Sequence, residues 1–345
     1  MLPACEPDLE VHEGEHLRYE HAPEDRPCAG TPRALDALVP LLAETYHRPP
    51  PSSLRYTWYA EADGLSPCSA GGCVRGSRAF AAVPFDVHEL VHLVYGSGSS
   101  PFFTEGVAVA LASFPLHDRN APLRSPLDRI TEVGDPRPTM GADRASAVDL
   151  EAAGAFVAFL LAWHGPDKLS RLFDRVGPDG SMTRAREVFR EVYGVELDDE
   201  AERFLDGAPC PDDPFPLLSY ACLGETLTDV DGRWTLETEL QCEGDDSVLG
   251  GVDDSDARGT HFARAVTLEI PADGEYVLRV PDDPATSVRL GPCFGCPWRG
   301  GDLLLEGGPP AVAPYLRAGR HYLIVHAPGP TGIGGAVTLE ALPVP

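Results

Sequence analysis

The hydrophobic positions of this chain change their period near residue 206. Before that point, Glu15 to His21 (EHLRYEH) alternates as a short strand, and Pro32 to His47 places Leu35, Leu38, Val39, Leu41 and Leu42 at helical spacing. Pro40 predicts a kink in that helix, and Pro49-Pro50-Pro51 its end. Leu54 to Ala60 alternates with aromatic residues and reads as a strand. Two apolar segments, Phe85 to Tyr95 and Phe102 to Phe114, read as helices separated by the Gly- and Ser-rich turn at 96–101. Leu116 to Arg144 is polar and Pro-rich without a period, the pattern of a long functional loop over an active face. Helices resume over Ala147 to Trp163, Asp167 to Phe173, Thr183 to Tyr193 and Asp198 to Leu205.

Beyond Leu217 only short alternating segments remain: Trp234 to Leu240, Ala265 to Ile270, Tyr276 to Val280, Ser287 to Leu290, Tyr315 to Leu316, His321 to His326 and Ala336 to Leu342. Asp206 to Phe215, with Pro209, Pro211 and Pro214, is the linker. The expected fold class is therefore α+β. Residues 1–207 form a small sheet plus helices, and residues 217–345 an all-β, sandwich or jelly-roll-like domain. No internal repeat is evident.

Charge narrows the function classes. Lys plus Arg number 27 against 54 Asp plus Glu, and the formal charge of -27 repels phosphate backbones and anionic lipid, so nucleic acid is not an expected partner. Acidic loops such as Glu243 to Asp246 and Asp253 to Asp256 lack EF-hand spacing and read as hydrated surface. No apolar run approaches the length of a membrane-spanning helix.

The nine cysteines, at 5, 28, 68, 73, 210, 222, 242, 293 and 296, fall mostly in Pro- and Gly-rich loops, which points to an oxidising, extracytoplasmic compartment. A zinc ribbon needs two CxxC knuckles and only Cys293 to Cys296 has that spacing, so disulfides 68–73 and 293–296 are expected. Leu2-Pro3-Ala4-Cys5 has the form of a bacterial lipoprotein processing site, which would put a lipid anchor on Cys5; pairing of Cys5 with Cys28 is the other reading.

The chemistry concentrates at His88-Glu89-Leu90-Val91-His92, an HExxH motif. On a helix its two imidazoles stand one turn apart on one face, the separation needed to share a tetrahedral zinc ion. Glu89 follows the first imidazole and can act as general base toward an attacking water. Glu105, on the next helix after a Gly-rich turn, can bring back the third ligand. The expected centre is thus zinc on His88, His92 and Glu105, with Glu89 catalytic. The structural alternative makes Glu89 a capping partner of Asp86. No GxSxG elbow or Gly-rich phosphate loop is present.

HELVH followed by PFFTEGVAVALA resembles the gluzincins of the bacterial peptidase MA-like kind, in which HExxH precedes a Trp- or Phe-x-x-Glu-Gly-x-Ala segment. Ala153-Gly154-Ala155-Phe156 leading to His164-Gly165, and Val188-Phe189 with Val192-Tyr193-Gly194, are similar to later segments of those proteins, so the likeness covers roughly 14–205. The resemblance implies a gluzincin-like N-terminal domain, a secreted zinc metallopeptidase hydrolysing peptide or protein substrates, and the ligand and base roles just given. A non-catalytic binding protein that keeps the zinc site is the alternative. Leu150 stands where the family often has Tyr, and Ala155 where it has Ser; Tyr95, His117 and His164 are the remaining candidates to stabilise an oxyanion. Ala272 to Tyr276 and Leu316 to Tyr322 resemble strand entries of the bacterial pre-peptidase C-terminal β-sandwich, which implies a binding, positioning or structural role.

Overall fold

The computed structural model describes residues 8–59, 68, 72–96, 100–112, 134–177, 181–207, 220–237, 239–250, 261–281, 286–293, 303–306, 312–328 and 336–341. The chain is a mixed α+β protein, with one sheet and helices in its first part and, apart from a 3-10 turn at Tyr220–Leu223, strands in its last.

The first part is built on one sheet. β1 (Glu10–Glu13) and β2 (Leu17–His21) form an antiparallel pair, α1 (Gly30–Thr45) crosses to β3 (Leu54–Trp58), and β4 (Gly72–Arg75) and β5 (Arg78–Ala81) form a second antiparallel pair. The order is β1-β2-β3-β5-β4, with β2, β3 and β5 parallel and an antiparallel strand at each edge. Alternation sends Leu17, Tyr19, Leu54, Tyr56 and Ala79 into the core. The opposite face carries Arg18, Arg55 and Arg78, all paired to the buried carboxylate of Glu20. The turn between β1 and β2 is held to α1 by Asp36, whose carboxylate accepts from the backbone N–H groups of Glu15, His16 and Leu17. α1 continues through Pro40.

Six α-helices follow among the described residues: α2 (Val87–Tyr95), α3 (Pro101–Ala112), α4 (Leu150–His164), α5 (Pro166–Val176), α6 (Met182–Tyr193) and α7 (Leu197–Leu205). α4 is buried at every position from Ala152 to Ala162, which is why its sequence is apolar all round rather than striped. It crosses α3 closely because glycines face the contact. A Cβ on Gly154 would lie 2.3 Å from Val109 Cγ1, and one on Gly106 would lie 2.9 Å from the Ala153 carbonyl oxygen.

Ten strands make the last part: β6 (Glu225–Leu227), β7 (Arg233–Glu237), β8 (Val248–Gly250), β9 (His261–Ile270), β10 (Gly274–Arg279), β11 (Ser287–Pro292), β12 (Leu303–Glu306), β13 (Tyr315–Leu316), β14 (Gly319–Pro328) and β15 (Ala336–Ala341) among the described residues. One sheet has the order β13-β10-β15-β7 and the other β12-β11-β14-β9-β6, with β8 also paired to β9. Trp234, Leu236, Leu278, Val337 and Leu339 of the first sheet and Val266, Leu268, Val288, Leu323 and Val325 of the second fill one shared core. The opposite faces of β9 and β14 are buried too, because Ala263, Ala265, Tyr322 and Ile324 belong to the core cluster of the helical part. The unbroken apolar run Tyr322 to Val325 reflects burial on both faces.

Two cysteine expectations are corrected. Cys28 pairs with Cys242 and not with Cys5, and Cys293 pairs with Cys222 and not with Cys296, whereas the Cys68–Cys73 bridge is as expected. Spacing favours near neighbours, but the fold places Cys28, just before α1, beside the segment leading to β8, with Cα atoms 4.4 Å apart across 214 residues. Ala29 N–H donates to the Cys242 carbonyl, and the Thr31 hydroxyl accepts from Gly250 N–H at 3.1 Å, so the junction also has its own backbone pairing. Cys5, and the linker from residue 208 on, lie outside the described residues, as does the loop expected from Leu116 up to residue 133. The three disulfides fit an extracytoplasmic compartment. No helix among the described residues is long and apolar enough to cross a membrane.

Peptide mapping without reduction is expected to recover a Cys28–Cys242 crosslinked pair, and Cys28→Ser should lower the free energy of unfolding by about 2–5 kcal/mol in a denaturant titration.

Candidate metal centre

The motif helix begins where the sheet hands over to it. β5 ends at Ala81, and Tyr56 on the neighbouring strand donates its hydroxyl to the Val83 carbonyl at 3.0 Å and accepts from Asp86 N–H at 2.9 Å. Asp86 then caps α2, its carboxylate accepting from Glu89 N–H at 3.2 Å. Val87, Leu90, Val91 and Val94 are buried, which leaves His88 and His92 together on one face of α2.

Their Nε2 atoms face each other at 3.0 Å, with the ring planes at 82°. Glu105, one turn into α3, reaches the same point. Its Oε2 lies 3.3 Å from His88 Nε2 and 3.4 Å from His92 Nε2. One ligand atom from each of the three residues can be drawn together within 4.8 Å, and this is the one His, Cys, Asp and Glu group of that kind among the described residues. All three side chains are half-buried, open enough to admit a ligand yet screened from bulk water.

The two acids of the site differ in proton affinity. Burial opposes ionisation of Glu105, but hydrogen bonds from His88 and His92 and their charge outweigh it and hold the carboxyl at about 2. Glu89 is pushed up to about 7, first by burial and then by the negative charge of Asp86, against the lowering effect of His88. Its side chain is 7% exposed, and Oε2 is buried with no hydrogen-bond partner among the described residues. A carboxylate oxygen left so is costly unless a ligand or water completes it.

Strand β4 closes over this acid. A Cβ on Gly72 would come within 2.4 Å of Glu89 Oε1, so glycine is the residue that lets the edge strand pass so close. Sequence patterns alone did not single out Gly72 or Tyr56. Gly72 sits in a Gly pair within a cysteine loop, and Tyr56 has the pattern of one more aromatic in an alternating strand.

The four expected residues, His88, Glu89, His92 and Glu105, therefore converge. The capping alternative applies to the backbone of Glu89 only, since it is the N–H that Asp86 holds. The oxyanion candidates do not join them. Tyr95 is buried with its hydroxyl 2.6 Å from that of Thr45, packed on Tyr46 and Phe173, and serves to dock α2 on α1. His164 ends α4 and bonds Glu200 at 2.8 Å, tying α4 to α7. His117 lies outside the described residues. Leu150 opens α4 with 43% exposure and offers no donor.

No family model and no curated protein matches the chain. Among solved structures it is similar to a carbohydrate binding module (CBM6cm-2) from Cellvibrio mixtus lichenase 5A, solved with cellotriose, at 13% identity over 34% of this chain and 92% of that one, with a TM-score of 0.18. It is also similar to BtGH115A, a family GH115 4-O-methyl-alpha-glucuronidase with specificity for decorated arabinogalactans, at 10% identity over 56% of this chain and 30% of that one, again with a TM-score of 0.18. Scores this low bear on neither the fold nor the site.

Tyr56→Phe leaves the Asp86 N–H and the Val83 carbonyl without their shared partner, and is expected to cost about 1–3 kcal/mol in a chemical unfolding titration.

Proposed function

We propose that the chain is an extracytoplasmic zinc-dependent peptidase of the gluzincin kind, with His88, His92 and Glu105 as ligands and Glu89 as general base. The observation that carries this reading is the meeting of two imidazoles and an ionised carboxylate beside a buried carboxylate oxygen that has no partner among the described residues. The donor set suits the ion: two neutral imidazoles and one carboxylate are the three protein ligands of a catalytic zinc site that keeps a fourth position open.

A zinc ion held there would supply Lewis acidity, polarising a peptide carbonyl and lowering the pKa of water. The protein does the rest. Glu89, with its proton affinity raised toward neutrality, takes a proton from the attacking water and later returns it to the leaving amine. Gly72 and the core around Leu90 and Val91 hold that carboxylate out of bulk solvent. Glu105 stays ionised, so its charge would offset part of that of a bound cation.

A second reading, a binding protein that keeps the metal site without turnover, is favoured by one observation. Of the oxyanion candidates within the described residues, Tyr95 is bound to Thr45 and His164 to Glu200, and Leu150 stands where relatives of the resembled family often have Tyr.

Zinc content and cleavage of an unstructured protein such as casein separate the readings. Glu89→Gln is expected to keep about one zinc ion at this centre while losing cleavage by about 10²–10⁴-fold. His92→Ala is expected to lose both the ion and cleavage. Zinc in the native chain with no cleavage of any substrate would support the second reading, and a native chain that binds no zinc here after remetallation would sink both.

A further inference from the structure

A second pair of imidazoles converges at the other edge of the five-stranded sheet. In the antiparallel register of β1 with β2, Glu10 stands opposite His21 and His12 opposite Tyr19. Paired residues share a face, so Glu10 and His12 project on the same side as His21. His21 is 2% exposed and its Nδ1 lies 2.7 Å from the Ala22 carbonyl oxygen. A carbonyl can only accept, so Nδ1 carries the proton, and in the neutral ring the lone pair is on Nε2.

That Nε2 is aimed at His12 Nε2, 3.1 Å away, almost the same separation as the 3.0 Å between the imidazoles of the HExxH helix. Two nitrogens bound tetrahedrally to one zinc ion at about 2.0–2.1 Å are about 3.3 Å apart. A Glu10 carboxylate oxygen lies 3.8 Å from His21 Nε2, on the solvent side. Tyr19 and Trp58 are buried behind the rings, with ring centroids 6.1 Å from His12 and 6.5 Å from His21 respectively. A backbone carbonyl that fixes the far nitrogen of a buried imidazole is the support that metal-ligating histidines ordinarily have.

We propose that His12 and His21 form a second metal site, a two-imidazole one completed by solvent, for a divalent transition-metal ion that accepts imidazole ligands, such as zinc or copper(II). The ion ties β1 to the sheet. All four residues of that edge strand are exposed, and the strand has little apolar packing of its own, so a cross-strand metal clip stabilises its pairing. The competing use of the same pair is a plain hydrogen bond in which His12 Nε2–H donates to His21.

Metal titration of the full chain separates the two. His12 is exposed, and His12→Ala or His12→Gln should leave the circular dichroism spectrum unchanged. Equilibrium dialysis against zinc is expected to find one fewer ion per chain in either variant than in the native protein. Copper(II) added to His92→Ala should give an electron paramagnetic resonance spectrum with imidazole nitrogen coupling that disappears when His12→Ala is added. An unchanged zinc count in the folded His12 variants, or copper coupling that survives His12→Ala, overturns the proposal. This difference of one ion does not depend on the peptidase reading, since failure of the His88 cluster to bind zinc would leave it intact.

Discussion

Bringing the Glu105 carboxylate to within 3.4 Å of two imidazoles on another helix is the constraint around which the first part of the molecule is packed. An ionised carboxylate and two imidazoles have no reason to share a half-buried point unless something holds them there. The hold comes from both helices. α2 is anchored at its start by Tyr56 and Asp86 and at its end by Tyr95 on Thr45, while α3 is pressed against the buried middle of α4 through Gly106 and Gly154. Glu105 and Gly106 are adjacent for a physical reason: the acid faces the imidazoles, and its neighbour is the position where α4 leaves no room for a side chain.

The same packing sets the electrostatics. Burial alone would raise the proton affinity of both acids at the site, and it does so for Glu89, whose one charged neighbour of opposite sign is outweighed. For Glu105 the two imidazoles reverse the outcome. Two carboxylates on adjoining helices thus take different protonation behaviour from their surroundings, one suited to holding a cation and the other to moving a proton.

The helical part does not stand apart from the strands. β9 and β14 bury one face in the two-sheet core and the other in the helical core, and the Cys28–Cys242 bridge, buried in a third small core, crosslinks the junction. The residues of the metal cluster itself come wholly from the helical part.

Local patterns were legible from residues alone. The i, i+4 imidazoles of α2, the acid between them, the helices that follow and most long strands come from periods of 3.6 and 2, which neighbouring residues impose on each other. Glu105 was legible through its resemblance-bearing segment. Most short elements were not: β1, β4, β5, β6, β8 and β12 are three or four residues long and too short to display a period, although the two residues of β13 were expected. Neither were the partners of Cys28 and Cys293, the approach of Gly72 to Glu89, or the facing of His12 and His21, which sit on different strands. The sequence by itself determined which residues could share a helix face or a strand face, because that depends on chain geometry over a few residues. Which faces meet, and therefore which cysteines, acids and imidazoles become neighbours, was decided only by the tertiary structure, because burial selects among contacts that are far apart along the chain.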